Sequence, residues 1–318
     1  MKKIARLYIL MCLCAFALCA TAQTYKYENI NGFSQDTNRK LKEFMENSRS
    51  ITTHKVAVFD CDGTVLGQSP HYMCDEALID YITDTYAHRS DSLALRKMDQ
   101  LKRAMVNSDD ELAYADEMVS LLAGLTIPQI EEIGKRCFKE KFSNQIFPEM
   151  RALIQNLKNY GFDVYIVTAS PELLYQGVCS EQLGITTDHV LGVRAAVDSY
   201  GYTTGAMVRP VTVQRGKAEA IRTFIKTVPL FAAGNSRGDL EMMSLCNGLR
   251  VIINPGNTKP LPVCGGKTLF QYWNDDPNCI VEVCNEVGQP GVEWSCDRYN
   301  LPIKPSHQRM VPLQKAKK

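Results

Sequence analysis

Lys55-Val-Ala-Val-Phe59, followed at once by Asp60-Cys61-Asp62-Gly63-Thr64, decides how this chain of 318 residues folds. A nearly continuous apolar run without polar alternation suits a strand buried on both faces, the habit of parallel sheets. Two carboxylates two residues apart, just past the strand's carboxyl end, both face the crevice where open α/β sheets bind ligands. Gly63 lets the backbone turn sharply after them. Cys61 points away from the acids by strand alternation and reads as packing.

Outward from that stretch the pattern alternates. Ser34–Asn47 has helical spacing, with Leu41 and Phe44 on one face. Residues 72–142 hold no convincing strand but four helical stretches, near 74–88, 90–106, 109–123 and 127–142. Thr126 and Gln129 have capping-box spacing around Pro128. A helix over Met150–Tyr160, stopped by Gly161, leads to a strand over Asp163–Thr168 and a helix from Pro171 to about Leu183. His189–Val208 reads as a hairpin, Lys217–Thr227 as helix, Leu230–Ala233 as strand, Asp239–Cys246 as helix and Leu249–Ile253 as strand. From Pro255 the chain is rich in Pro, Gly, Asn and Cys with little periodicity. The fold expected is α/β: a doubly wound, Rossmann-like parallel sheet with an inserted all-helical cap. The core takes residues 23–66 and 146–254, the cap 67–145, and a Cys-rich extension 255–318.

Composition narrows the class of partner. With 45% hydrophobic and 22% charged residues the chain is ordinary globular material. The 36 basic and 35 acidic residues leave no basic field for nucleic acid. Lys2, Lys3 and Arg6 precede an apolar run, Leu7–Cys19, and then Ala20-Thr21-Ala22, the layout of a cleaved secretory signal over residues 1–22. The run is about 13 residues, short of the roughly 20 that span a bilayer, so no stable membrane anchor is expected after cleavage. Losing those three basic residues leaves 33 against 35 acidic, in a soluble protein that is periplasmic or secreted.

Three of the twelve cysteines leave with the signal. Cys264, Cys279, Cys284 and Cys296 crowd the last quarter and read as two disulfides, with the pairing open. They contain no CxxC pair and have only His307 nearby, which speaks against zinc among them. The last 21 residues, from Arg298, hold six basic residues and no acidic one, and read as a solvated tail.

Asp60-x-Asp62-Gly63-Thr64 after a hydrophobic strand resembles the first motif of the haloacid dehalogenase-like hydrolases, most of them phosphatases. Tyr165-Ile-Val-Thr168-Ala-Ser170 resembles the second motif, Gly216-Lys217 at a helix start the third, and Gly234-Asn235-Ser236-Arg237-Gly238-Asp239 the fourth. The hairpin Leu191-Gly-Val-Arg194 to Tyr202-Thr-Thr-Gly205, together with a helical cap between motifs one and two, resembles the phosphoserine and phosphocholine phosphatase branch. The resemblance covers residues 54–254.

It implies an aspartyl nucleophile, Asp60, and a proton donor and acceptor, Asp62. Thr64, Thr168, Ala169 and Lys217 would hold the substrate phosphate. Mg²⁺ would sit on Asp60, the Asp62 carbonyl, Asn235 and Asp239. Asn235 stands where the family usually carries Asp; its amide oxygen ligates without adding charge, and Asp239 supplies the remaining carboxylate directly or through water.

The chemistry is coherent with the residues. A phosphate monoester needs a cation, positive side chains and amide donors. A dehalogenase has no use for a second proton-handling carboxylate, so Asp62 favours phosphoryl transfer. A lysine in the first turn of a helix works against the helix dipole, which points to a task for Lys217. A strand-end hydroxyl that caps the next helix suits Ser170 better than Thr168.

Three readings stay open: a phosphomonoesterase acting on a small phosphorylated substrate, a phosphotransferase or mutase, and a non-catalytic binding protein. His71, Tyr72, Tyr81, Tyr86 and Tyr114 of the cap offer aromatic surface for a quaternary ammonium group, although helical spacing favours core packing.

Overall fold

The computed structural model describes residues 25–106, 110–299 and 301. The expected signal segment, residues 1–22, and most of the basic tail lie outside them.

Helix α1, Gln35–Ser48, starts where the Ser34 hydroxyl accepts the Thr37 N–H at 3.0 Å. It buries Leu41 and Met45, and Phe44 packs against the rings of Phe162 and Phe231. Strand β1, Lys55–Phe59, is buried at all five positions, as its unbroken apolar run requires.

The cap follows as four helices: α2 Met73–Tyr86, α3 Ser92–Val106, α4 Glu111–Leu121 and α5 Ile127–Cys137, the last continued by a π-helical turn over Phe138–Phe142. The Gln129 side chain accepts the Thr126 N–H at 2.9 Å at the start of α5, the backward arm of a capping box. The two strands of chain that enter and leave the cap lie side by side. Gly67 N–H donates to the Gln145 carbonyl at 2.8 Å and Phe147 N–H to that of Val65 at 2.9 Å.

Beyond the cap come α6 Pro148–Asn159, β2 Phe162–Pro171, α7 Glu172–Leu183, β3 Val190–Val197, β4 Thr203–Val208, α8 Arg215–Ala220, β5 Phe231–Gly234, α9 Leu240–Leu245 and β6 Leu249–Ile253. The sheet runs in the order β4-β3-β2-β1-β5-β6 and ends on β7, Cys279–Glu282, parallel except for the β3–β4 hairpin. Ala57, Phe59, Phe231 and Ala233 face one apolar cluster with α1, α6 and the cap, while Val56, Val58 and Ala232 face a second with α9. Helices therefore cover both faces, and all catalytic candidates hang from the carboxyl edge.

The segment after residue 254 departs from expectation. It supplies β7, Cys279–Glu282, parallel to β6 from Arg250 opposite Cys279 to Ile253 opposite Glu282. It also supplies α10, Leu269–Asn274, and a short α11, Ser295–Arg298. The extension thus completes the core sheet.

The two expected disulfides are not formed: among the described residues no cysteine is bridged to another. Cys284 and Cys296 pack into the apolar cluster on one face of the sheet, and Cys264 and Cys279 belong to the cluster on the other. Cys264, Cys279 and Cys284 act as small apolar fillers, a usual part of a buried unbridged cysteine.

Candidate active site

Asp60 leaves β1 with its N–H bonded to the Ala233 carbonyl at 2.9 Å, which ties it to the neighbouring strand β5. Its carboxylate is buried and accepts Thr64 Oγ1 at 3.0 Å and Lys217 Nζ at 2.6 Å. Lys217, in the first turn of α8, also reaches Asp239 Oδ1 at 2.7 Å. Burial favours neutral lysine, but Asp239 and Asp60 outweigh it and push the ammonium above its ordinary range. Asp60 is pushed up to about 6, by burial first and by Asp239 second, against the pull of Lys217.

Asp62 has its own setting. Ser170 Oγ donates to one oxygen at 3.0 Å and the Tyr175 hydroxyl to the other at 2.9 Å. Burial and the Asp60 charge push its carboxyl up to about 7, and the two hydroxyl donors hold it from going higher. Two carboxyls of one sequence motif therefore titrate about a unit apart, the lower one at the strand end.

Gly63 is required by the fold here, with φ +84 and a position where any Cβ would run into the Asn235 side chain. Motif one and motif four are pressed together at that point. Asp239 is wholly buried. One of its oxygens accepts the N–H groups of Asn235 and Ser236, each at 3.0 Å, and the Ser236 hydroxyl at 3.2 Å. The other takes Lys217, so both oxygens are occupied by the protein's own donors.

Thr168 is buried, and its oxygen accepts the Ser170 N–H at 3.1 Å. Ala169 beside it is exposed. Strand β2 runs to Pro171, past the expected end at Thr168, with an irregularity in its pairing to β3 between Val167 and Pro171. Ser170 follows buried Thr168 and exposed Ala169 by strand alternation and is itself buried. Ser170 does not cap α7, whose N-cap is Pro171, and the capping assignment is corrected: its hydroxyl serves Asp62. Gly192 permits the approach, since a Cβ there would meet the Ser170 carbonyl.

Tyr175 was missed in the sequence. The signal available was a tyrosine at the fourth position of α7, one turn after the second motif, on a helix that turns out buried along most of its length.

The sequence-based candidates Asp60, Thr64, Lys217, Asn235 and Asp239 come together as one buried, hydrogen-bonded group, while Asp62 is buried and held apart from it by Ser170 and Tyr175. The cap aromatics do not act together. Tyr81 and Tyr86 meet each other with hydroxyls 3.5 Å apart, and Tyr114 donates to Asp75. Tyr72 alone feels both catalytic aspartates: burial, then Asp62, raise its phenol. Cys61 lies buried in the core cluster next to Cys179, whose hydrogen bond, with burial, pushes the Cys61 thiol up.

A sequence model of the haloacid dehalogenase-like hydrolases matches residues 57–244, from inside β1 to the end of the fourth motif and α9. The chain belongs to this family. Among curated relatives, the phosphoserine phosphatase SerB1 of Mycobacterium tuberculosis (strain ATCC 25618 / H37Rv) is 29% identical over 155 residues, 47% of this chain and 48% of that one. A hydrolase of Mycobacterium leprae (strain TN) is 30% identical over 155 residues, 47% of this chain and 50% of its own. The chain thus spans about half the length of the curated relatives it matches. Among solved structures, a conserved protein of unknown function from Anaerococcus prevotii DSM 20548 shares the fold, with a TM-score of 0.60 at 15% identity, covering 84% of this chain and 100% of that one. As a member of the hydrolase family, the chain carries its four motifs on one edge of one sheet.

Proposed function

We propose that this hydrolase is an exported, Mg²⁺-dependent phosphomonoesterase that cleaves a small phosphate monoester through an aspartyl-phosphate intermediate. The observation that carries the proposal is the division of labour between Asp60 and Asp62. Asp60 is paired with Lys217 at 2.6 Å, while Asp62, whose carboxyl burial pushes up to about 7, sits between the hydroxyls of Ser170 and Tyr175 and can carry a proton near neutral pH. An Asp60 oxygen attacks phosphorus, the ester P–O bond breaks, and Asp62 gives its proton to the leaving alkoxide. Asp62, now anionic and steadied by Ser170 and Tyr175, takes a proton from water. That water oxygen attacks the phosphorus, freeing Asp60 and inorganic phosphate.

The fit to a hard cation rests on the donor set. Asp60 and Asp239 against Lys217 leave one surplus negative charge in a buried, oxygen-rich cluster, which suits a divalent ion of the Mg²⁺ kind. Asp60, the Asp62 carbonyl and the Asn235 side chain would hold it, with Asp239 fixing the fourth motif from behind. Bound there, Mg²⁺ supplies Lewis-acid neutralisation of the phosphoryl oxygens. Lys217, Thr168 and Ala169 would hold those oxygens. Export rests on the layout of residues 1–22. Among the described residues no helix is long and apolar enough to cross a membrane.

The test is release of inorganic phosphate from phosphoserine, phosphocholine, phosphoethanolamine, sugar phosphates and nucleotides, for wild type and Asp60→Asn. At least one substrate should turn over, and Asp60→Asn should fall below a hundredth of wild type. Isomerised sugar phosphate without free phosphate would instead identify a mutase. Residual Asp60→Asn activity above that level, in protein free of deamidation, would remove the covalent route.

A further inference from the structure

Away from the phosphate site, His71, Glu76 and Cys296 bring one nitrogen, one carboxylate oxygen and one sulfur within 4.8 Å of one another, all three residues buried. His71 lies two residues before α2, Glu76 in its first turn, and Cys296 comes from α11, 220 residues beyond Glu76 along the chain. The His71 side chain is 3% exposed and its Nε2 makes no hydrogen bond. A buried ring nitrogen without a hydrogen bond costs free energy, and this ring brings a nitrogen within 4.8 Å of a thiol and a carboxylate. Asp297 Oδ1 stands 3.4 Å from the same nitrogen on a largely exposed side chain. It is a natural fourth donor at the solvent side.

We propose that His71, Glu76, Cys296 and Asp297 form a structural transition-metal site that clamps the C-terminal segment onto the start of the cap. The donor types select the ion. Imidazole, thiolate and two carboxylates suit four-coordinate Zn²⁺, whereas Mg²⁺ and Ca²⁺ want oxygen alone.

The local charge agrees. Lys141 meets Glu76 at 2.6 Å and Asp80 at 2.8 Å, and with Asp297 the cluster holds three carboxylates against that one ammonium. A divalent ion would offset the excess. On binding, the Cys296 S–H bond breaks, its proton leaves to solvent, and the sulfur lone pair goes to the metal. Glu76 is already held in place by the N–H groups of Ser295 at 2.7 Å and Cys296 at 2.9 Å, so its carboxylate is oriented before any ion arrives. Trp294 sets its ring edge-on to His71, with centroids 5.7 Å apart, and shields the site.

Spectroscopy with Co²⁺ as the probe tests the site in the full chain, after treatment with a chelator. One equivalent should give tetrahedral visible bands and a thiolate-to-metal charge-transfer band, both displaced by Zn²⁺. Cys296→Ser should abolish the charge-transfer band, and His71→Ala should weaken Co²⁺ binding at least about tenfold. Asp60→Asn should leave the band in place, which separates this site from an oxygen-only site at the sheet edge. X-ray absorption of the wild-type Zn²⁺ protein, which needs no variant to fold, should find one sulfur at about 2.3 Å with nitrogen and oxygen neighbours. No thiolate band in wild type, sulfur-free zinc scattering, or an unchanged band in Cys296→Ser would each overturn the proposal.

Discussion

At the scale of single residues, the site turns on how two carboxyls share a buried space. The working form has Asp60 ionised and Asp62 protonated, so kcat/KM should trace a bell, rising through about 6 and falling through about 7. Tyr175→Phe removes a donor that stabilises the Asp62 anion, which raises its pKa and moves the alkaline limb up by about one pH unit. Asp239→Asn removes the negative neighbour that holds Asp60 up, so the acid limb should move to lower pH. A profile whose alkaline limb stays put in Tyr175→Phe would show that Asp62 is not the acid. Both aspartates titrate higher in the fold than in the unfolded chain. The stability present below pH ~4 is therefore lost as pH rises through about 6 and 7. Asp62→Asn should then raise the Tm of metal-free protein at pH 8 and change it little at pH 4, as thermal melts in chelator would show. Equal shifts at both pH values would contradict that account.

Among the secondary-structure elements, the strands and helices with strong periodic patterns were legible in the sequence. β1 reads as a buried strand because apolar side chains face both clusters, and the capping chemistry at Thr126 marks where α5 begins. β7 was not legible. Four residues, Cys279-Ile-Val-Glu282, set among Pro, Gly and Asn, are too short to show a period, and what makes them a strand is the partner edge offered by β6. Ser170 and Tyr175 escaped because their hydroxyls meet Asp62 only in three dimensions, 108 and 113 positions away along the chain. The cysteines misled because clustering in sequence carries no information about which face of the sheet each one reaches. Since β7 pairs with β6 and the Cys284 N–H bonds the Asn254 side chain at 3.1 Å, a chain ending at residue 254 would expose β6 as an open edge. Such a truncation should aggregate or lose its cooperative melt. A monomeric, cooperatively melting product by size-exclusion chromatography and circular dichroism would show the last strand to be dispensable.

For the molecule as a whole, the catalytic group is gathered from distant parts of the chain: Lys217 meets Asp60 across 157 positions. The cap separates β1, ending at Phe59, from its in-register partner β2, beginning at Phe162. Closing so long an interval before any pairing is gained slows folding, although the cost in free energy grows only with the logarithm of its length. The side-by-side chains at 65–67 and 145–147 change that reckoning, because they bring the two ends of the cap together within a few residues of β1. Once local helix contacts have collapsed the cap and this junction has zipped, the closure left to make spans a handful of residues on each side. The order of assembly follows: inserted domain first, the β1–β2 pair second, and Asp60 and Asp239 meet Lys217 only after β5 has docked against β1.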